Sequence, residues 1–310
     1  MSAKNIAVDV PIREKMEEGI EAPRRKKSQM ADVWRRFRRN KIALVGAFMI
    51  LCLVLLALMA DVIAPGDGVF PGYDMQDLGN TLQYPSWEHL MGTDNLGRDI
   101  FSRIAHGARV SLQVGFVVVS ISMIVGVALG ALSGFYSGLI DNFIMRTIDV
   151  LLAIPSILLA VSIAAALGPG LHTVIIAVGI AAIPGYARVV RASVLTLREQ
   201  EFIEAARSIG ANDARLVIRH ILPNCTAPII VQATMGMATA ILSAAGLSFI
   251  GLGIQLPTPE WGAMLSQGRQ FIRTFQPMVI FPGLAIAIVV FGLNMLGDGL
   301  RDALDPRLKR

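Results

Sequence analysis

The run VSLQVGFVVVSISMIVGVALGALSGFYSGLI, residues 110–140, contains no charged side chain. An α-helix rises 1.5 Å per residue, so about 20 apolar residues cross a hydrocarbon layer about 30 Å thick. This run is longer than that minimum. It therefore predicts a membrane-spanning helix, which we place at residues 110–132.

Within this run, Gly126, Gly130 and Gly134 recur every four residues and so share one face of the helix. Small residues let two helix backbones approach closely in lipid, where van der Waals contact drives association. We interpret the three glycines as a helix-packing seam. The alternative is that they are scattered glycines of the kind common in membrane helices.

The rest of the chain follows the same pattern. Of its 310 residues, 54% are hydrophobic and 16% are charged, and the mean hydropathy is +0.59. The chain therefore has more apolar side chains than the core of a soluble protein of this size can bury. We predict an all-α polytopic membrane protein. Its six predicted spans are residues 42–63, 110–132, 143–167, 173–190, 227–247 and 278–296.

The basic residues orient these spans. Of the 28 lysines and arginines, 23 lie in the N-terminal arm and at Lys41 next to it, in the 134–149 and 188–226 loops and in the C-terminal tail. The other five are Arg98, Arg103, Arg109, Arg269 and Arg273. Positive charge favours the cytoplasmic side, so both termini are predicted there. The net charge of +5 then reflects membrane flanks and not nucleic-acid binding.

We divide the chain into a basic cytoplasmic arm, residues 1–40, and a six-helix membrane domain, residues 41–310. Residues 1 to about 30 are polar and are expected to be disordered. Within the membrane domain, the 188–226 loop is too long to be only a connector.

Two short amphipathic helices are predicted in this loop. The first carries an apolar stripe of Phe202, Ile203, Ala206 and Ile209, and Gly210 suits a left-handed C-terminal cap. Asn212 or Asp213 caps a second helix, whose Leu216, Val217 and Ile221 share one apolar face and which Pro223 stops. The apolar side of the pair either docks on the membrane bundle or inserts into a partner.

The loop also contains Glu204-Ala205-Ala206, then Gly210, then Leu222-Pro223. This pattern resembles the EAA loop of ABC importer permeases, with His220 where the family usually has isoleucine. Three further segments resemble the C-type permease subunit of dipeptide and oligopeptide importers, in the peptide/nickel branch. They are Gly92-Thr93-Asp94 through Gly107-Ala108-Arg109, Ser248 through Gly253 leading to Trp261-Gly262, and Gly297 through Asp302 followed by Leu304-Asp305-Pro306-Arg307.

This resemblance covers residues from about 30 to the end and implies the type I importer fold, in a bacterial or archaeal inner membrane. It implies a B-type permease partner, two cytoplasmic ATPase subunits and an extracytoplasmic solute-binding protein, besides membrane lipid. It also implies that ATPase coupling rests on Phe202, Ile203, Glu204, Ala205, Ala206, Gly210, Leu222 and Pro223. The cargo stays open among dipeptides, longer peptides, nickel chelates and glutathione-like solutes.

The sequence contains no GxxxxGK[ST] phosphate loop, so ATP and Mg are expected to bind the partner ATPases and not this chain. We expect no enzyme activity and no cofactor here. The four histidines have no metal-ligand spacing, so no metal site is expected either.

Five residues within the spans are candidates to line a solute path, although ordinary contacts and hydrogen bonding between helices are the favoured explanation for each. They are Gln232, Thr234, Met235, Met237 and Asn294.

Charged residues near the spans have several interpretations. Arg98, Asp99, Arg103 and Arg109 anchor an interfacial helix, meet the binding protein or form a local ion-pair lattice. Arg146 and Asp149, three residues apart, are expected to form a structural pair, and a functional role of these charges near the membrane is the alternative. A tail cluster of Arg301, Asp302, Asp305 and Arg307 either organises the region near the ATPases or is simply solvated.

Two other classes of protein compete with this reading. An ion-coupled transporter or channel would favour buried carboxylates at mid-membrane, and the central apolar runs have none. A membrane hydrolase would need a nucleophile with its base, or a metal pair, and no such set is found.

Overall fold

The computed structural model describes residues 29–64 and 72–304, and within these ranges every extended regular element is a helix. The expectations for residues 1–28, and those for Asp305, Pro306 and Arg307, lie outside the described residues. We number the α-helices in chain order: α1 Gln29–Arg39, α2 Lys41–Leu58, α3 Ala60–Ile63, α4 Ile100–Tyr136, α5 Gly138–Ala153, α6 Ser156–Leu167, α7 Leu171–Arg198, α8 Glu201–Ser208, α9 Asp213–Arg215, α10 Thr226–Phe249, α11 Trp261–Gly268 and α12 Pro277–Leu304.

Five continuous helical segments are long and apolar enough to cross a membrane: α2, α4, α7, the run Asp213–Phe249 and α12. A sixth span is present if α5 and α6 count as one. The predicted span at residues 143–167 is not one continuous helix, because α5 and α6 meet at an angle of 87°. Pro155 has no backbone donor and forces Ile154 into an extended conformation, which breaks the helix there.

Several helices are longer than predicted. Helix α4 has 37 residues, a length of about 55 Å against a hydrocarbon layer of about 30 Å, so it begins well before residue 110. The predicted 134–149 loop is also wrong. Only Ser137, with a φ of 53°, separates α4 from α5. Absence of charge locates the lipid-buried part of a helix and not its ends.

The packing of α4 against α7 forms the centre of the bundle. The two helices run parallel, and Gly126, Gly130 and Gly134 face successive turns of α7, ending at Val194. The Ser122 hydroxyl adds a hydrogen bond to the Gly179 carbonyl oxygen at 2.9 Å. The structure thus places the three glycines in a seam between close backbones.

The first and last spans, α2 and α12, pack antiparallel, with Gly299 against Ala43. The Asn40 side chain donates a hydrogen bond to Asp302 at 3.2 Å, and Arg198 bonds the last carbonyls of α4. Asn40, Tyr136, Arg198 and Asp302 therefore lie at one end of the bundle. We call it the loop end, because residues 199–225 also pack there.

Candidate functional site

Helix α8 at the loop end is short but has defined ends. Glu201 and Glu204 lie in its first turn and Arg207 in its last, as the helix dipole favours. Gly210 adopts a φ of +88°, with its N–H bonded to the Arg207 carbonyl and the Ala211 N–H bonded to the Ala206 carbonyl. This is the Schellman arrangement, and it confirms the predicted left-handed cap at Gly210.

One face of α8 docks on the bundle. Ile203 is 1% exposed and Ala206 is buried, and both belong to an apolar cluster with Val194 of α7 and Phe135 of α4. Two buried contacts three residues apart fix both the position and the rotation of an eight-residue helix. Helix α8 thus packs into this cluster, in which the segment Leu216–Ile221 is its main neighbour.

A second face of α8 carries apolar side chains that contact little. Phe202 is 43% and Ile209 is 87% exposed, and Ala205 between them is exposed as well. We call Phe202, Ala205 and Ile209 the outer face. The predicted single stripe is wrong in this respect, because positions 203 and 206 turn towards the bundle while positions 202, 205 and 209 turn away.

The second predicted helix of the loop is irregular. The Asn212 side chain caps it by accepting a hydrogen bond from the Arg215 N–H at 2.9 Å. A π-helical turn follows at Leu216–Ile221, then a 3-10 turn at Leu222–Cys225, and the chain enters α10 directly. The expectation that Pro223 stops the helix is wrong, since the change of helical pitch accommodates its missing donor.

The predicted buried face of this segment is present. Leu216 and Ile221 are fully buried in the same cluster as Ile203, and Val217 packs against it. Leu222 is half-buried and Pro223 is exposed. Exposed Ile218 adds a further apolar side chain at the loop end.

Charged groups tie α7, the helix that leads into α8, to α4 and α5. Arg191 makes two hydrogen bonds to Asp141, at 2.7 and 2.6 Å, and Ser133 donates to the same carboxylate. Arg198 donates to the carbonyls of Gly134 and Phe135 and to the Ser137 hydroxyl, which satisfies the free C-terminal carbonyls of α4. The sequence did not reveal these contacts, because those of Arg191 and Arg198 join positions 50 or more residues apart.

The predicted pair between Arg146 and Asp149 is not formed. Asp149 instead pairs with Arg188 of α7 at 2.6 Å, with both side chains about half exposed. The sequence could not reveal this, because the 87° bend and the packing of α7 decide which side of α5 meets a cation.

A cavity of about 400 Å³ lies where α5 bends into α6, against α4, α7 and α10. Its polar lining comes from Ser156, Tyr186, Gln232, Thr239 and Ser243. No charged side chain is among its described lining residues. Tyr186, Ser156, Thr239 and Ser243 were missed, although Thr239 and Ser243 follow Gln232 at helical spacing.

The predicted path residues divide into two groups. Gln232 and Met235 line the cavity, whereas Thr234, Met237 and Asn294 are not among its lining residues. Thr234 lies against Gly297 of α12, Met237 packs between the two central apolar clusters, and Asn294 is half-buried on α12. Helical rotation separates them, because positions 234 and 237 lie off the face shared by 232, 235 and 239.

The opposite end of the bundle contains the ion-pair lattice. Arg98 pairs with Asp94 at 2.7 Å, and Asp99 accepts from the Ser102 N–H. Arg98, Asp99 and Arg103 are at most 2% exposed, so the lattice reading is correct for them. Arg109 pairs instead with Asp61 at 3.0 Å.

Trp261 and Glu260 fix α11 near this lattice. The Trp261 indole donates to the Ile104 carbonyl at 3.2 Å, and the Glu260 carboxylate accepts the Gly262 and Ala263 N–H groups. Burial raises the pKa of the Glu260 carboxyl, and the two backbone donors act against that shift. Among residues 29–64 and 72–304, no three His, Cys, Asp or Glu side chains cluster as metal ligands would.

Two segments of the chain match known families. Residues 126–310 match the family described as binding-protein-dependent transport system inner membrane component. Residues 28–85 match the N-terminal transmembrane domain of oligopeptide transport permease C.

Three curated relatives are similar over about nine-tenths of both chains. The dipeptide transport system permease protein DppC of Alkalihalophilus pseudofirmus is 50% identical over 282 residues, 91% of each chain. The di/tripeptide transport system permease protein DppC of Pseudomonas aeruginosa is 47% identical, over 91% of this chain and 93% of that protein. The glutathione transport system permease protein GsiD of Escherichia coli is 48% identical, over 90% of each.

A similar fold is found in a chain of the MetNI methionine ABC transporter in inward-facing conformations. The TM-score is 0.53 and the identity 21%, over 66% of this chain and 96% of that one. This likeness supports the fold.

Proposed function

The chain belongs to the family of binding-protein-dependent transport system inner membrane components, in its peptide-permease C branch, and from this membership we propose its place in the transport cycle. It is a multi-pass membrane subunit of an ABC importer. We propose that it moves small peptides across the cytoplasmic membrane and that separate ATPase subunits drive it.

The exposure of the outer face of α8 is the main support for a role in ATPase coupling. Full burial of an apolar side chain stabilises by about 1.5–3 kcal/mol, so exposed Phe202 and Ile209 leave binding free energy that a partner can use. We infer that a cleft on an ATPase subunit receives this face. Glu204 lies beside it, exposed and able to pair with a cation of that partner.

The docked face explains how movement would pass into the bundle. Ile203 and Ala206 place α8 in an apolar cluster that also contains side chains of α4, α7 and the Leu216–Ile221 segment, and Arg198 ties the end of α7 to the end of α4. A displacement of α8 would therefore pass through this cluster to α4 and α7. An ATPase shifts the bundle only if it prefers one conformation of it, which nucleotide-dependent closure would provide.

The proposed assembly has four other subunits. A B-type permease completes the pathway, two ATPases bind at the loop end with ATP and Mg, and a binding protein delivers cargo at the opposite end. Both termini and the loop end are then cytoplasmic, in agreement with the distribution of basic residues. This chain itself needs no cofactor and no catalytic group.

Small peptides are the cargo that the cavity and the relatives favour. Hydroxyl and amide groups from Ser156, Gln232, Thr239 and Ser243 can bond a peptide backbone, while the absence of charge in the described lining avoids holding either terminus tightly. A transport path needs such weak contacts. The printed names of the relatives include dipeptide, di/tripeptide and glutathione transport.

An ion-coupled mechanism is less well supported. The buried acids Asp94, Asp99 and Glu260 lie at the end opposite the loop, outside the spans, and each accepts hydrogen bonds there. A proton or sodium relay would require such groups at mid-membrane.

The test replaces the outer face with charge in the whole transporter. Phe202→Asp with Ile209→Asp should release the ATPases during purification and abolish ATP-driven dipeptide uptake in proteoliposomes. The control is Ile272→Asp, an isoleucine 54% exposed near the opposite end, which should leave both intact. Normal ATPase retention and uptake with both outer-face aspartates would refute the coupling role.

A further inference from the structure

Helix α1, which no part of the transport argument uses, docks on the bundle by one face. Phe37 is 8% exposed and packs with Ala43 of α2 and Ala303 of α12, and Val33 lies against the same cluster. The Trp34 and Phe37 rings stack with centroids 6.0 Å apart. The position and rotation of α1 are therefore fixed by apolar contacts.

The remaining surface of α1 is basic and aromatic. Trp34 is 60% exposed, and Arg35, Arg38 and Arg39 are exposed around it. Asp32 is the one acidic residue between positions 29 and 41, and it pairs with Arg35 at 2.8 Å. The charges of Arg38 and Arg39 are thus not balanced by any acid on the helix.

The helix lies where a membrane surface must be. A single residue, Asn40, separates it from α2. The first turns of α2 already expose apolar side chains, because Ile42 is 59% and Val45 is 50% exposed. Tryptophan concentrates at the boundary between hydrocarbon and headgroups, and arginine forms paired hydrogen bonds to phosphate. A basic helix with an exposed tryptophan has the features of an interfacial helix.

We propose that the exposed surface of α1, formed by Trp34, Arg35, Arg38 and Arg39, binds the headgroups of anionic phospholipids. Charge complementarity selects the anionic class, because a zwitterionic headgroup offers no net charge to these arginines. The docked Phe37 holds the basic surface at headgroup depth. The site would anchor the end of α2 that also contacts α12.

The experiment uses the whole transporter in lipid discs that contain equal amounts of phosphatidylglycerol and phosphatidylcholine. A photoreactive benzophenone amino acid replaces exposed Trp34, and mass spectrometry identifies the molecules that it captures. We expect phosphatidylglycerol adducts to exceed phosphatidylcholine adducts. Their ratio should fall about fivefold for each of Arg38→Gln and Arg39→Gln, and should fall also in high salt.

The matched control is Arg269→Gln with Arg273→Gln, two exposed arginines near the opposite end, which should leave the ratio at position 34 unchanged. Equal capture of the two lipids, or a ratio insensitive to Arg38 and Arg39, would overturn the proposal. Capture of an ATPase or permease subunit in place of lipid would overturn it as well, because α1 would then face protein. None of these readouts depends on cargo uptake.

Discussion

Gly130 faces the backbone of Ala187 so closely that a β-carbon on Gly130 would lie 2.5 Å from the Ala187 carbonyl oxygen. No side chain separates the two helices at this point. The parallel contact of α4 and α7, which the coupling argument requires, therefore depends on the absence of a single methyl group.

Gly130→Ala should lower the thermal unfolding midpoint of the purified transporter, because α4 and α7 must separate or shift. Overpacking of this kind costs about 1–3 kcal/mol. The control is Gly246→Ala on α10, where a β-carbon would meet nothing within 4 Å. That change should be neutral or stabilise by up to about 1 kcal/mol. Equal midpoints for the two variants would contradict the seam.

Gly210→Ala should loosen α8 without affecting insertion of the spans. A non-glycine residue at a φ of +88° is strained by about 1–2 kcal/mol, so the Schellman hydrogen bonds should open. Hydrogen exchange at Ala206 to Ala211 should become faster, and ATP-driven uptake should fall. Gly210→Asn, which tolerates this conformation better, should recover much of both; if it behaves like alanine, strain is not the cause.

Asp141 and Arg191 should show strong energetic coupling. In a double-mutant cycle with Asp141→Asn and Arg191→Gln, measured by thermal unfolding, we expect an interaction of roughly 1 kcal/mol or more. The more exposed Asp149–Arg188 pair, treated in the same way, should give less than about 0.5 kcal/mol. The reverse order would mean that the Asp141–Arg191 pair contributes little to the stability of the folded transporter.

Ser243→Phe should obstruct the cavity. The larger side chain projects into a space of about 400 Å³ at the bend between α5 and α6, so peptide uptake should fall severalfold while the ATPases stay bound. Leu242→Phe is the matched change, since Leu242 is 53% exposed and is not among the cavity's lining residues. Normal uptake in the Ser243 variant would remove the cavity from the path.

The sequence predicted those features that depend on local chemistry. Charge-free runs located the spans, the left-handed preference of glycine located the Gly210 cap, and four-residue spacing located the face of Gly126, Gly130 and Gly134. Each is a property of a few consecutive turns of one helix, and such properties persist in the folded protein.

Features that depend on how distant helices pack were not predictable. The apolar stripe of the loop divides between Ile203 and Phe202 because only the bundle decides which flank is covered. Arg191 reaches Asp141 because the helix is interrupted at Ser137, so the packing of α5 beside α7 sets the position of Asp141. A proline predicts that a helix breaks at Ile154, but the size of the turn is set by the neighbouring helices.

The length of α4 gives it mechanical leverage. A stiff rod of about 55 Å that pivots at one tip moves its other tip by roughly 1 Å for every degree of rotation. If α4 rotates by about ten degrees about its loop end, its other end at Ile100 moves by roughly 10 Å. Such a movement is wide enough to open or close a gap for a peptide backbone, and it requires no bend within the helix.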